Sequence, residues 1–399
     1  MMTDSEIVIV GAARTPIGRF QGAYKGIPAP DLGAAAVRAA VARSGADPAL
    51  IDECIMGNVI SAGLGQAPAR QAALRAGLPT SVGALTINKV CGSGLKAVML
   101  AAALIRSSEA RLVVAGGMEN MTRAPYLLPE ARAGYRLGHA ELLDATVHDG
   151  LWCAFEQHHM GNAAEWIAET FGISREMQDA FALESHARAI AAQDAGAFDE
   201  EIVPVEVPAG KGKTTTITAD EPPRRDTDAR QLAALRPVFK SDGTVTAGNA
   251  PGITDGAAAL VVTSAQAAAD LGLRPIARII GSAQAAVPPL ELFTAPVFAV
   301  RRLLERTGTT LDDYDLFEIN EAFAAQVVQN GRELQLDWDR LNVHGGAIAL
   351  GHPIGASGAR VLVTLISALR RRGGGRGLAA LCLGGGEAVA LAIETEPAG

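Results

Sequence analysis

The chain has 399 residues, 49% hydrophobic and 20% charged, a globular composition long enough for two or three domains. Its net charge of −8 argues against a nucleic-acid binder, and no apolar run is long enough to span a bilayer. Aromatic residues make up only 4% while glycine numbers 44 and alanine is abundant, so helices packed closely on sheets are expected rather than a large aromatic core.

The opening "MMTDSEIVIVGAARTP" has no basic stretch followed by an apolar one and does not read as a secretory signal. It carries a first strand that ends in a turn. A helix, "DLGAAAVRAAVARSG", follows, then strands "DECIMGNVI" and "ALTINKV", a second alanine-rich helix, "GLKAVMLAAALIRSS", and a strand, "RLVVAGG". From about residue 122 to 250 the chain is richer in charge, proline and histidine. It holds two helical stretches there, "GNAAEWIAETFG" and "SREMQDAFALESHARAIAAQDAGAF", and the polar run "GKGKTTTITADEPPRRDTDARQ". This middle part reads as an insertion, exposed for most of its length. Strands resume with "AAALVVT", "IARIIGS", "DLFEIN", "GLAALCL" and "AVALAIE". Apolar strands alternating with helices define the α/β class, with a sheet covered on both faces. The ending "ETEPAG" matches no retention or peroxisomal tripeptide.

There is an internal echo. "CGSGLKAVMLAAALIRSSEARLVVAGGMEN" shares its layout with "IGASGARVLVTLISALRRRGGGRGLAALCLGGGEA". Each has a small-residue turn with S-G, an apolar helix, a basic tail, a strand and a glycine pair, the mark of two similar halves packed together.

The four cysteines, Cys54, Cys91, Cys153 and Cys382, form no C-x-x-C, so neither a zinc ribbon nor a thioredoxin-type motif is supported. A disulfide framework is not expected, and the reducing cytoplasm is the expected compartment. Most free cysteines are small buried hydrophobes. Cys91, however, sits between a strand and a helix, where free N–H groups and the helix dipole stabilise a thiolate. Gly92 and Gly94 leave room for a close approach. His352, between Gly351 and Pro353 in a glycine-rich loop before a helix, is a candidate base able to take a thiol proton and to polarise a carbonyl. Cys382 ends an apolar strand before three glycines whose N–H groups can point at a ligand. Asn320, in "FEINEAFAAQ", reads by itself as a helix N-cap.

Taken together, "NKVCGSGLKAV", "TAGNAPGITDGAAA", "NEAFA", "GGAIALGHPIGASG" and "CLGGG", in this order along nearly the whole chain, resemble the thiolases. The resemblance implies a five-layer α-β-α-β-α fold from two similar halves. The N-terminal half would comprise residues 1–121 and 250–275, an inserted loop domain 122–249, and the C-terminal half 276–399. The helix begun at Cys91 would form the buried central layer. It further implies that Cys91 is the acyl-accepting nucleophile and His352 the base that activates it and holds the oxygen of the second thioester. Asn320 would orient a water beside that oxygen, and Cys382 would move the α-proton. The N–H groups of Cys91 and Gly384 would form the other oxyanion hole. Coenzyme A and acyl-CoA are then substrates, with no covalently bound cofactor and no metal. His159 and Met160 correspond to positions near the pantetheine and acyl group. Leu151, Phe239, Ala247, Ala322 and Phe323 correspond to the pantetheine tunnel, and Arg224 lies near a basic position at the nucleotide end. A homodimer or homotetramer is expected, with "PYLLPEARAGYRLGHAELLDA" as the candidate oligomerisation hairpin.

Four features depart from the family's pattern. Pro251 replaces a serine that contacts pantetheine and has neither a side-chain donor nor an N–H. His344 stands where asparagine is frequent, and Glu387 where an uncharged residue is common. "LWCAFEQHH" is bulky and carries Cys153, which bears on acyl-chain preference. An acetyl-CoA C-acetyltransferase is the leading reading, with a longer-chain 3-ketoacyl-CoA thiolase of β-oxidation or aromatic degradation as the alternative. A ketoacyl-synthase-like enzyme needs no second cysteine before G-G-G. A non-catalytic lipid-binding relative would have lost one of Cys91, Asn320, His352 and Cys382. An NAD enzyme would show G-x-G-x-x-G after the first strand.

Overall fold

The computed structural model describes residues 6–210 and 212–397. The readings made on the first five residues, on Lys211 and on the last two fall outside them. β1 (Ile7–Arg14) leads to α1 (Ala29–Ser44), β2 (Glu53–Gly57), α2 (Pro68–Arg75), β3 (Gly83–Ile87), α3 (Ser93–Arg106) and β4 (Leu112–Asn120). The chain then leaves the sheet and builds α4 (Met160–Thr170), α5 (Arg175–Asp194) and the paired strands β5 (Val205–Gly210) and β6 (Lys213–Ile217). It re-enters as β7 (Thr254–Ser264). The remainder runs β8 (Ala277–Ala286), α6 (Ala295–Thr307), β9 (Leu316–Ile319), α7 (Ala324–Glu333), α8 (Ile354–Arg371), β10 (Gly375–Leu383) and β11 (Glu387–Thr395).

The strand order β9-β10-β11-β8-β1-β7-β4-β2-β3 contains the echo seen in the sequence. In each half a parallel pair, β2 with β4 or β9 with β10, continues into antiparallel neighbours. The halves meet where β1 and β8 pair antiparallel at Val8 with Arg278 and Ile9 with Ala277. Side chains alternate along each strand, so one strand feeds two cores. Val8 and Val10 face α1 and α2, whereas Ile7 and Ile9 face α3 and α8. In the other half Leu381 faces inward to the same central layer, and Leu378 and Ala380 face α6 and α7. The layers are helix, sheet, helix, sheet, helix.

The two central helices differ in burial. α8 is buried at every position from Ile354 to Leu369, including the polar Ser357, Arg360, Thr364 and Ser367. α3 was expected to be the buried element, but Lys96, Met99, Leu100 and Leu104 are only partly buried and Ala103 is exposed. The S-G pairs read as turns are the first helical residues of α3 and part of the first turns of α8. There the helices touch backbone to backbone. A Cβ on Gly94 would lie 2.6 Å from the Ala359 nitrogen, and one on Gly358 would strike Leu95.

The excursion between β4 and β7 is fastened by Arg14. This fully buried guanidinium lies 2.5 Å from Glu201 and 2.7 Å from Asp220, and sits over the Phe198 ring. The first of its segments pairs Tyr126–Leu127 with Leu143–Asp144 as a short hairpin. Among the described residues no helix is long and apolar enough to cross a membrane.

Gly94→Ala is expected to destabilise the protein by about 1–3 kcal/mol, because backbone atoms cannot move aside. Gly26→Ala, at an exposed site with nothing near the added methyl, is expected to stay within about 0.5 kcal/mol. Urea unfolding of both variants checks this.

Candidate active site

The catalytic candidates come from the ends of three elements that converge at one end of the central layer. Cys91 lies in the link from β3 to α3, directly before the N-cap Gly92. The preceding Val90 has φ of 45°, an unusual conformation for a β-branched residue. The link is held by Asn88 Oδ1, which accepts from the Val90 N–H, and by Ser93 Oγ, which accepts from the Lys89 N–H and donates to the Val90 carbonyl. His352 precedes α8. Gly351 before it has φ of 103°, and a side chain there would collide with Thr254 and Ile17. Cys382 is the penultimate residue of β10, followed by Leu383 and the turn of Gly384, Gly385 and Gly386 into β11.

Cys91, His352, Cys382 and Gly384 line one apolar cavity of about 290 Å³. Leu151, His159, Met160 and Phe239 line it from the excursion. Ala247 and Pro251, from the return segment, and Ala322 and Phe323 complete the predicted apolar lining. His159 caps α4, its Nδ1 accepting from the Gly161 N–H, and stacks on Phe239 at 4.7 Å. Phe239 meets Phe323 edge-on, and Phe323 meets Phe293, so an aromatic row forms one wall. Asn320 does not line the cavity but stands behind His352, with Nδ2 3.5 Å from its Nε2. It is not a helix N-cap, since α7 starts at Ala324 with Phe323 at the cap position. Arg224 lies outside the cavity wall, its N–H donating to His186 Nδ1.

The protonation states follow from burial. His352 Nδ1 lies 2.6 Å from Ser357 Oγ, and that hydroxyl donates to the Pro353 carbonyl at 2.9 Å. A hydroxyl has one proton to give, so His352 carries its hydrogen on Nδ1, and Nε2 is a bare acceptor. Burial, with help from the Arg360 charge, pushes the imidazole down to about 3, so it stays neutral. The backbone N–H groups of Gly384 and of Cys91 itself favour the thiolate. Placement before a helix led us to expect a lowered thiol pKa. Instead the apolar surroundings outweigh these donors and push it up to about 12. Cys382 is raised well above the ordinary thiol value by burial and by neighbouring Cys91. The resting site therefore holds two thiols and a neutral base.

Residues the sequence did not flag complete the site. Glu119, at the buried end of β4, accepts N–H groups from Val59, Ile60 and Gly355 and the side chain of Asn58. α8 has no side-chain N-cap of its own, and this carboxylate takes that place. Burial still raises Glu119 to about 7. Glu321 accepts from Ser185, Asn342 and the Ile348 N–H and so fixes the "GGAIALGHP" loop. An acid inside an otherwise apolar strand, as in "LVVAGGMEN", is the one sequence signal that pointed to Glu119.

Alkylation of Cys91 by iodoacetamide, followed by mass spectrometry, is expected to accelerate close to about tenfold per pH unit between roughly pH 6 and 9, since only the thiolate reacts. It should show no inflection near the ordinary histidine pKa. A rate that levels off at neutral pH would reveal a thiolate–imidazolium pair and overturn the assignment.

Comparison with known proteins identifies the family. The family model described as "Thiolase, N-terminal domain" matches residues 7–266, and "Thiolase, C-terminal domain" matches residues 273–395. The chain is 54% identical to an acetyl-CoA acetyltransferase of Pseudomonas aeruginosa over 388 residues, 97% of this chain and 99% of that one. It is 53% identical to an acetyl-CoA acetyltransferase of Cupriavidus necator over 393 residues, 98% of this chain and all of the other. The crystal structure of the Bacillus anthracis acetyl-CoA acetyltransferase superposes with a TM-score of 0.96 at 44% identity, covering 98% of each chain. With both family domains matched over almost its full length, the chain belongs to the thiolase family.

Proposed function

We propose that the protein is an acetyl-CoA C-acetyltransferase, which cleaves a 3-ketoacyl-CoA with CoA or, in reverse, condenses two acyl-CoA molecules through an acyl group carried on Cys91. The observation that carries this reading is the convergence of Cys91, His352, Cys382 and Gly384 on one apolar cavity, with Asn320 beside His352. In thiolysis the Cys91 sulfur attacks the 3-keto carbon while His352 Nε2 takes its proton. The new oxyanion sits on the N–H groups of Cys91 and Gly384. Carbon–carbon cleavage leaves an acyl thioester on Cys91 and the enolate of acetyl-CoA, whose thioester oxygen is held by His352 and a water on Asn320. Asn320 Oδ1, buried and with no hydrogen-bond partner among the described residues, is free for that water. Cys382 gives its proton to the enolate carbon, then takes one from incoming CoA, whose thiolate releases the acyl group. The proton on His352 returns to Cys91. Two half-reactions share one sulfur, so ping-pong kinetics follow.

A neutral resting pair suits this chemistry. The thiol need not be ionised beforehand, because it gives up its proton as the carbonyl oxygen gains charge. The raised Cys382 thiol is in the donor form that thiolysis requires.

The CoA arm is read along His159, Met160, Leu151, Phe239, Ala247, Ala322 and Phe323, with Pro251 offering surface but no N–H. Arg224, away from the cavity wall, is read as a contact for the nucleotide end. A short acyl group is favoured because Ile60, Met121 and Ile354 pack with Leu151 against Cys91. A longer-chain 3-ketoacyl-CoA thiolase is the second reading. Homotetramer formation is read onto the 125–145 hairpin, where Tyr126, Leu128, Leu137 and Leu142 are exposed. A cytoplasmic location and a place in lipid metabolism belong to the same reading.

Incubation with acetoacetyl-CoA without free CoA is expected to leave an acetyl group on Cys91, seen by mass spectrometry, that disappears when CoA is added. If a panel of longer and branched 3-ketoacyl-CoAs also leaves folded protein unmodified, the catalytic reading is wrong. His352→Ala is expected to slow acylation by roughly 10²–10⁴-fold.

A further inference from the structure

Glu387, a departure from the family's pattern, faces Lys89. The Lys89 ammonium lies 2.7 and 2.6 Å from the two carboxylate oxygens, across 298 residues of sequence. Lys89 is two residues before Cys91. Glu387 is three residues after Gly384, at the first position of β11 and opposite Leu383 in the β10–β11 register. The pair therefore joins the two backbone segments that carry Cys91 and Gly384, which meet at the cavity wall. Between them the structure is tight and unrelaxed. Val90 holds φ of 45°, and a Cβ on Gly384 would lie 3.2 Å from Val90 Cγ1. Val90 must stay in a conformation that a β-branched residue leaves readily, and the hydrogen bonds on its own side of the site restrain only the β3–α3 link. Among the described residues, the ion pair is what ties that link to the glycine turn by side-chain charge.

We propose that Lys89 and Glu387 are positioning residues, a clamp that fixes the distance between the Cys91 sulfur and the Gly384 N–H. With 19% and 38% of their side-chain surfaces exposed, they contribute little to global stability. Their effect is on the geometry of the oxyanion site, where small displacements are costly in rate. The proposal rests on the reading of Cys91 as nucleophile.

Two single variants and one exchange test it: Lys89→Met, Glu387→Met, and the double variant Lys89→Glu/Glu387→Lys. Alkylation of Cys91 by iodoacetamide at fixed pH and the burst of acetylation from acetoacetyl-CoA are read for each. Both single variants are expected to alkylate more slowly, roughly threefold or more, and to acetylate roughly tenfold more slowly, since a loosened N–H donor loses part of its effect. The KM for CoA and the melting temperature should stay near the parent values. The exchange is expected to restore most of both rates. Glu387→Met is the discriminating variant. Through charge alone, removing a carboxylate near a thiol speeds thiolate formation, whereas loss of the clamp slows it. Alkylation of Glu387→Met at or above the parent rate, or an exchange variant as slow as the singles, overturns the proposal. A parent protein that alkylates at Cys91 but accepts no acyl group defeats the assigned reaction and leaves the alkylation comparison to judge the clamp.

Discussion

The close crossing of α3 and α8 governs everything near the cavity. Helices bearing ordinary side chains keep their axes about 8–10 Å apart. Here Gly94 and Gly358 remove the spacers, and each helix backbone rests on the other. Gly57 and Gly117 extend the same contact to β2 and β4, since a side chain at either would strike the α8 backbone at Gly355. Cys91 precedes one of these helices and His352 the other, so the crossing brings them to one place. The apolar surroundings there keep the imidazole neutral and the thiols protonated.

Buried charge is spent on joining segments rather than on the chemistry itself. Glu119 ties the start of α8 to the loop after β2, and Glu321 ties the His352 loop to α5 through Ser185. Arg14 ties the excursion to β1 through Glu201 and Asp220, and Glu201 also accepts from Thr364 of α8. Such groups add little net stability compared with an apolar filling, yet removing one partner leaves an uncompensated charge. Glu119 and Glu321 each collect several donors from separate segments, which fixes the loops around the cavity.

Much of the fold was legible because strand alternation and helix periodicity are local. Ile7 and Ile9 against Val8 and Val10 is a pattern any reader of β1 can see, and the echo of the α3–β4 unit in α8–β10 announced the two halves. Cys91, His352 and Cys382 stood out because each lies beside glycines at an element boundary. Properties that depend on surroundings did not show. The helix-start position of Cys91 argued for an acidic thiol, but desolvation decided the other way, and desolvation is set by side chains from separate segments, such as Ile60, Met121 and Ile354. Asn320 looked like a cap because the sequence does not show that α7 begins four residues later. Ser357 was visible only as a turn residue. Its role depends on the helical geometry that folds it back onto His352.

The cavity has two kinds of wall. On one side stand Cys91, Ile354 and Cys382, seated on glycine-mediated backbone contacts that tolerate no added atoms. On the other stand Leu151, His159, Met160 and Phe239, carried by an excursion that is tied to the sheet at Arg14 and to the His352 loop at Ser185. Selection can therefore rework the second wall to admit a different acyl chain while the first is unaltered. The scaffold separates the inheritance of a reaction from the inheritance of its substrate.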